Sequence, residues 1–152
     1  MRISLKVDYA LRAMAQLASE GQRRPVKAEQ LAAAQEIPVK FLLGILRELK
    51  QARLVSSRRG AEGGYSLSRP AQEISLADII RAIDGPLANV HDTSLTQLTY
   101  PGPAAPLREI WMALRTSLRS VLETVTLADL ARGRLPKHVR AMADEYKADV
   151  RH

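Results

Sequence analysis

The residues of this chain best suited to chemistry are two adjacent arginines and three glycines. Arg58 and Arg59 are followed by Gly60, Gly63 and Gly64, with Glu62 the single acid among them. On either side the segments read as strands: Leu54-Val55-Ser56-Ser57 has strand composition, and Tyr65-Ser66-Leu67-Ser68 alternates large and small with a period of two. Gly63 and Gly64 supply the backbone freedom of a tight turn. One carboxylate cannot neutralise two guanidiniums, so the tip of this hairpin is expected to stay positive. Such a tip suits phosphate oxygens or a minor groove.

The element that must position the tip lies just before it. Pro38 suits a first helical residue, with φ preset and no N–H to lose, and the spacing predicts a helix from there to Gln51. Leu42, Ile45, Leu46 and Leu49 fall on one face, with Phe41 at its border, and that face should be buried. The opposite face carries Lys40, Leu43, Gly44 and Arg47, with Lys50 and Gln51 one turn further on. It offers charges for phosphates, a donor fork for a base, and one glycine where a backbone could come close. A helix able to enter a groove beside a cationic hairpin is a DNA-binding arrangement. Taken alone, helix and hairpin fit an ordinary amphipathic helix and a solvated loop equally well. The rest of the chain tips the balance.

The length, 152 residues, suits one domain with a real core. Aromatic residues are only 4% of the chain, so that core is expected to be built from aliphatic helices. The net charge is +7, and its placement is informative. Residues 1–70 hold 13 Lys and Arg against 6 Asp and Glu, whereas residues 71–152 hold 10 of each. A basic half joined to a neutral half suggests a polyanion-binding module attached to a part with another task. No cysteine is present, which excludes disulfides and thiolate-held metals or clusters. No apolar run approaches the roughly 18 residues of a membrane span, and no secretory h-region opens the chain, so a cytoplasmic location is expected.

Along the chain, Ser4 is a plausible N-cap for a first helix whose Val7, Leu11, Met14 and Ala18 recur at helical spacing, with Gly21 ending it. After the basic turn Gln22-Arg23-Arg24-Pro25, a short helix is predicted over 28–34, with Leu31 as its main core residue. This helix, a short turn and the helix at 38–51 form a helix-turn-helix. Ser75-Leu76-Ala77-Asp78 is a capping box ahead of Ile79, Ile80 and Ile83, and Gly85-Pro86 stops that helix. Residues 86–106 hold four prolines, little periodicity and no Lys or Arg, as in a functional or mobile loop. The longest helix follows, about 107–124. Leu107, Trp111, Leu114, Leu118, Val121 and Val125 make a heptad seam, broadened by Ile110 and Leu122. Trp111 reads first as a packing residue. Thr126-Leu127-Ala128-Asp129 repeats the capping box for a last short helix ending near Gly133. From Arg134 the chain reads as a frayed helix or tail with Val139, Met142 and Tyr146 as weak anchors.

Three stretches, MRISLKVDYALRAMAQLA, PVKFLLGILRELKQARLVSSRRGAEGGYSLSRP and ISLADIIRAIDG, resemble the Rrf2 family of bacterial winged-helix regulators. The similarity runs from Met1 to about Leu130, and LVSSRRGAEGGYSL is its most specific piece. The resemblance implies a cytoplasmic homodimer that binds a partly palindromic operator. It also implies contact between the start of the first helix and the DNA backbone, through Lys6 and Tyr9. In several relatives the 86–106 region supplies three cysteines to an iron–sulfur cluster; here only His91 and Asp92 are ligand-like, and one imidazole beside one carboxylate is a poor metal site. Two departures stand out. Arg53 occupies a position where the family usually has glycine, and Ala61-Glu62 replaces a more usual proline-glycine.

The expected fold is mainly α with a small β wing. A winged helix-turn-helix domain spans 1–85, a connecting and candidate sensor loop 86–106, a dimerisation helix region 107–133 and a C-terminal tail 134–152. The candidate DNA-contacting set is Lys6, Tyr9, Ala28, Pro38, Val39, Lys40, Leu43, Gly44, Arg47, Ser57, Arg58, Arg59, Gly60, Gly63 and Gly64. Double-stranded operator DNA, a second copy of the chain along the seam, and a small-molecule or protein effector are the expected partners; no cofactor, metal or membrane is. Catalysis finds no support: His91, His138 and His152 lie far apart, and the glycines at 60, 63 and 64 fit no phosphate-loop pattern. The competing reading is a winged-helix adaptor whose basic patch binds an acidic protein.

Overall fold

The computed structural model describes residues 1–20 and 24–150. Helix α1 (Leu5–Glu20) opens where Ser4 accepts a hydrogen bond from the Val7 N–H at 3.1 Å. It lays Val7, Ala10, Ala13, Met14, Leu17 and Ala18 into the core, while Leu11 stays half-buried beside it. The predicted stop at Gly21 lies outside the described residues. Helices α2 (Ala28–Gln35) and α3 (Val39–Gln51) follow, then strands β1 (Val55–Arg58) and β2 (Gly64–Leu67). Pro38 proves to be the N-cap of α3, one residue before the helix. The amphipathic reading of α3 holds, with Leu42, Ile45, Leu46 and Leu49 all buried.

Strands β1 and β2 form a two-stranded antiparallel sheet with Val55 opposite Leu67 and Arg58 opposite Gly64. Both lie one residue from their expected bounds. Helix α4 (Leu76–Asp84) and helix α6 (Leu127–Arg132) each start on a complete capping box, Ser75 with Asp78 and Thr126 with Asp129. Their N-caps also pair with each other: Leu76 N–H donates to the Val125 carbonyl at 3.0 Å and Leu127 N–H to the Ile74 carbonyl at 2.7 Å. Leu127 and Ala128 join Met14, Leu17, Leu31 and Leu46 in one core, so α6 packs with the N-terminal helices. On α4 the expected buried face is only partly covered: Ile79 is buried, whereas Leu76, Ile80 and Ile83 are half-buried.

Between α4 and α5 (Leu107–Leu122) the chain makes two short 3₁₀ turns, Leu95–Gln97 and Gly102–Ala104. No residue of α5 is fully buried. The tail expected beyond Arg134 contains a 14-residue helix, α7 (Lys137–Val150), with almost every side chain exposed. His138 near its start lies 2.9 Å from the Ser120 carbonyl of α5. No helix of the described residues is long and apolar enough to cross a membrane.

Candidate nucleic-acid interface

Helix α3 and the wing share one groove because their bases are tied together. Lys50 donates to Ser57 Oγ at 2.7 Å, joining the last turn of α3 to β1. The exit from α3 is a Schellman closure. Arg53 adopts φ 61, its N–H reaches the Lys50 carbonyl, and the Leu54 N–H reaches that of Leu49, both at 3.0 Å. Glycine accommodates a left-handed residue at this position without strain, so Arg53 holds a conformation that disfavours its own side chain.

The opposite side of α3 meets α1. The Lys6 ammonium lies 2.6 Å from one Glu48 oxygen and 2.8 Å from the other. Tyr9 packs its ring edge-to-face on Phe41, centroids 5.6 Å apart, with the Arg12 guanidinium 5.2 Å from the Tyr9 centroid. Lys6 and Tyr9, expected at the DNA backbone, are thus also engaged within the protein. Glu48 neutralises the lysine, and the tyrosine holds α3 against α1. Partly exposed as it is, the ion pair adds at most about 1 kcal/mol to stability.

The outward face of α3 carries Pro38, Val39, Lys40, Leu43 and Arg47, all exposed, with Gly44 half-exposed among them. Lys40, Leu43, Gly44 and Arg47 line a groove whose far wall is Ser57 and Tyr65. Arg58, Arg59 and Gly60 are exposed at the wing. Among the described residues none of Lys40, Arg47, Arg58 and Arg59 takes part in an ion pair, so their charge is uncompensated. Ala28 is buried at 6% exposure, which removes its side chain from the interface and leaves only main chain at the start of α2.

Two wing glycines are also needed for packing inside the protein. A Cβ on Gly63 would stand 2.1 Å from the Arg58 carbonyl oxygen, and one on Gly64 would stand 2.6 Å from the Val26 carbonyl. Val26 and Tyr65 exchange two backbone hydrogen bonds of 2.8 Å, which brings that backbone against the hairpin. At both positions the protein's own backbone leaves no room for a side chain. Gly63 is buried outright.

Lys27, absent from the sequence-based set, lies against the wing. Its ammonium donates to the Gly60 carbonyl at 2.7 Å and, with Arg24 and Arg58, lines a second basic cleft behind the wing. The signal was available: Lys27 is the N-cap of α2, a place where a short polar side chain is the usual choice.

The sequence and the solved structures of other proteins place this arrangement. A family model described as Rrf2, iron-dependent transcriptional regulator, matches residues 3–133. The chain belongs to the Rrf2 family of transcriptional regulators. An HTH-type transcriptional regulator of Mycobacterium tuberculosis (strain ATCC 25618 / H37Rv) is 56% identical over 148 residues, 97% of this chain and 92% of that protein. The HTH-type transcriptional regulator CymR of Bacillus subtilis is 35% identical over 131 residues, covering 86% and 90% of the two chains. Among solved structures, that of CymR, the global cysteine regulator of B. subtilis, superposes with TM-score 0.74 at 32% identity, over 87% of this chain and 97% of that one. T. potens IscR gives 0.69 at 32% identity, over 88% of each. The winged-helix fold and its assignment to regulators, not enzymes, agree with the sequence reading. This Rrf2 protein does not fit the iron in the family's description: it has no cysteine, and among the described residues no three His, Asp or Glu side chains gather as a metal site. His91 and Asp92 instead form the tip of a tight turn, at φ 48 and 60, closed by hydrogen bonds between Val90 and Thr93.

The seam of α5 is partly used within the chain itself. Trp111 donates its Nε1–H to Tyr100 Oη at 3.1 Å, and with Leu114 it walls a cleft shared with Leu87, Val90 and Leu95. Val125 is 2% exposed and bound to the α4–α6 junction, so it cannot face a second chain. Leu107, Leu118 and Val121 remain half-buried, and Ile110 and Met112 are 54% and 40% exposed.

Proposed function

We propose that the protein is a sequence-specific transcriptional regulator, acting as a repressor and as a cytoplasmic homodimer on a partly palindromic operator, with no iron–sulfur cluster. The observation that carries this reading is a set of uncompensated cations, Lys40 and Arg47 lining the groove on α3 and Arg58 and Arg59 exposed on the adjoining wing, beside a helix whose Glu48 and Phe41 contact α1. In this reading residues 1–85 bind DNA, with α3 in the major groove and the wing arginines on phosphates or in the minor groove. Residues 107–133 bring two copies together, since a palindrome needs two reading heads at fixed spacing. The apolar surface left on α5 supports that pairing. An effector, small molecule or protein, would act at the 86–106 loop, where the cleft beside Trp111 offers room next to the pairing helix.

The test is binding of the purified protein to duplexes from its own upstream region and to scrambled duplexes, by fluorescence anisotropy over a salt series. The expected result is a preference for its own region of about 10³ or more. In the double variant Arg58→Ala, Arg59→Ala, the slope of log affinity against log salt should fall by about one unit for each phosphate that is no longer neutralised. An unchanged slope would reject the wing assignment. Equal binding to both duplexes in wild type would reject sequence-specific recognition of this region, and no DNA binding at all would turn attention to an acidic protein partner.

A further inference from the structure

Gly44 sits in the middle of α3, where glycine disfavours the helix by about 0.5–1 kcal/mol relative to alanine. Nothing inside the protein requires it: its backbone is helical, and a Cβ built there meets no atom within 4 Å. Gly63 and Gly64 are the contrast, since each would strike backbone of the same chain. The space above Gly44 is therefore open to something outside the molecule. Beside it, Leu43 is 44% exposed and Val39, one turn earlier, 38%. Exposed aliphatic side chains on a face otherwise made of Lys40 and Arg47 do nothing for a charged phosphate. In the major groove the apolar feature that such side chains can meet is the C5 methyl of thymine, while a guanidinium matches the O6 and N7 acceptors of guanine.

We propose that Gly44 is a notch, walled by Leu43 and Arg47, that admits the methyl group of one thymine per half-site, with Arg47 reading a guanine beside it. This inference rests on the DNA-binding reading above and adds the class of base step that is read. Leu43 and Val39 cover the methyl, and the missing Cβ at position 44 lets the base edge approach the helix backbone. Substitution by alanine would fill the notch with one methyl group and return the helix propensity that glycine forfeits. Folding and recognition are thus set against each other at one residue.

The experiment begins by selecting binding sites for the full-length wild-type protein from randomised duplexes. Each thymine of the selected site is then replaced by deoxyuridine, which removes the methyl and leaves every hydrogen-bonding group. The expected result is one position per half-site where the replacement weakens binding by about fourfold, the worth of one buried methyl. Leu43→Ala should bind the thymine and deoxyuridine sites with nearly equal affinity. Gly44→Ala should melt at or above the wild-type temperature and bind the selected site at least about tenfold more weakly. A selected site at which no deoxyuridine replacement matters, or a Gly44→Ala protein that binds like wild type, would overturn the notch and leave the DNA-binding reading in place. Failure to select any site would overturn both.

Discussion

Arg53 offers a direct test of how the reading helix is joined to the wing. It holds φ 61 in the Schellman closure that ends α3 and starts β1. The left-handed conformation costs an L-residue about 1–2 kcal/mol, through the clash of Cβ with its own backbone. Replacement by glycine removes that clash but adds about 0.5–1 kcal/mol of unfolded-chain entropy. The difference leaves Arg53→Gly more stable by about 0.5–1 kcal/mol, which for a chain of this length raises the melting temperature by about 1–4 °C. Arg53→Ala is the control, because it deletes the guanidinium and keeps the strained backbone. It should stay within about 0.5 kcal/mol of wild type. Thermal melts followed by circular dichroism would decide between them. A glycine variant that melts at or below wild type would refute the strain argument. The same pair separates backbone from charge in DNA binding, since both variants lose the exposed guanidinium and only one relaxes the backbone. Equal changes in salt dependence would assign any effect to the side chain.

Three further outcomes are expected. Gly64→Ala drives its Cβ to within 2.6 Å of the Val26 carbonyl and should break the Val26–Tyr65 pairing, lowering stability by about 1–3 kcal/mol and removing hydrogen-exchange protection at the Tyr65 amide; retained protection there would contradict the close approach. Glu123 is held below the usual carboxylate value of 4.5 by the Arg81 guanidinium at 2.5 Å and then by Arg119 at 3.0 Å. A depressed folded-state value stabilises the fold above the unfolded carboxylate pKa and loses that contribution as pH falls through the folded value. Wild type should therefore lose melting temperature more steeply than Glu123→Gln on acidification below about pH 4.5, and parallel curves would show that the contact adds nothing. Placing a carboxylate on the α5 surface, as Ile110→Glu or Leu118→Glu, should raise the dissociation constant of the proposed dimer by about a hundredfold in sedimentation equilibrium with the helical spectrum retained. If both variants self-associate like wild type, the pairing face lies elsewhere.

Position by position, the features legible in the sequence are those decided within a few residues of chain. The Ser4 cap and the boxes at Ser75 and Thr126 depend on groups three residues apart, and the buried face of α3 depends only on the helical repeat. The cationic wing was legible for the same reason, because two arginines between two short strands leave few places for their charge. What tertiary structure decided is which distant groups meet. Lys6 is 42 residues from Glu48, and nothing local distinguishes a lysine awaiting a phosphate from one already paired. Val125 continues the heptad spacing of α5, yet the pairing of the α4 and α6 caps draws it into the core. The Gly63–Gly64 pair signals a turn locally, but its requirement at Gly64 comes from Val26, a residue brought there only by folding. Helical spacing and capping are short-range and repeat along the chain. Charge pairing, burial and close backbone approach are set by the three-dimensional path, and for that reason the sequence marked out the candidate interface while the fold determined which of its cations are already paired.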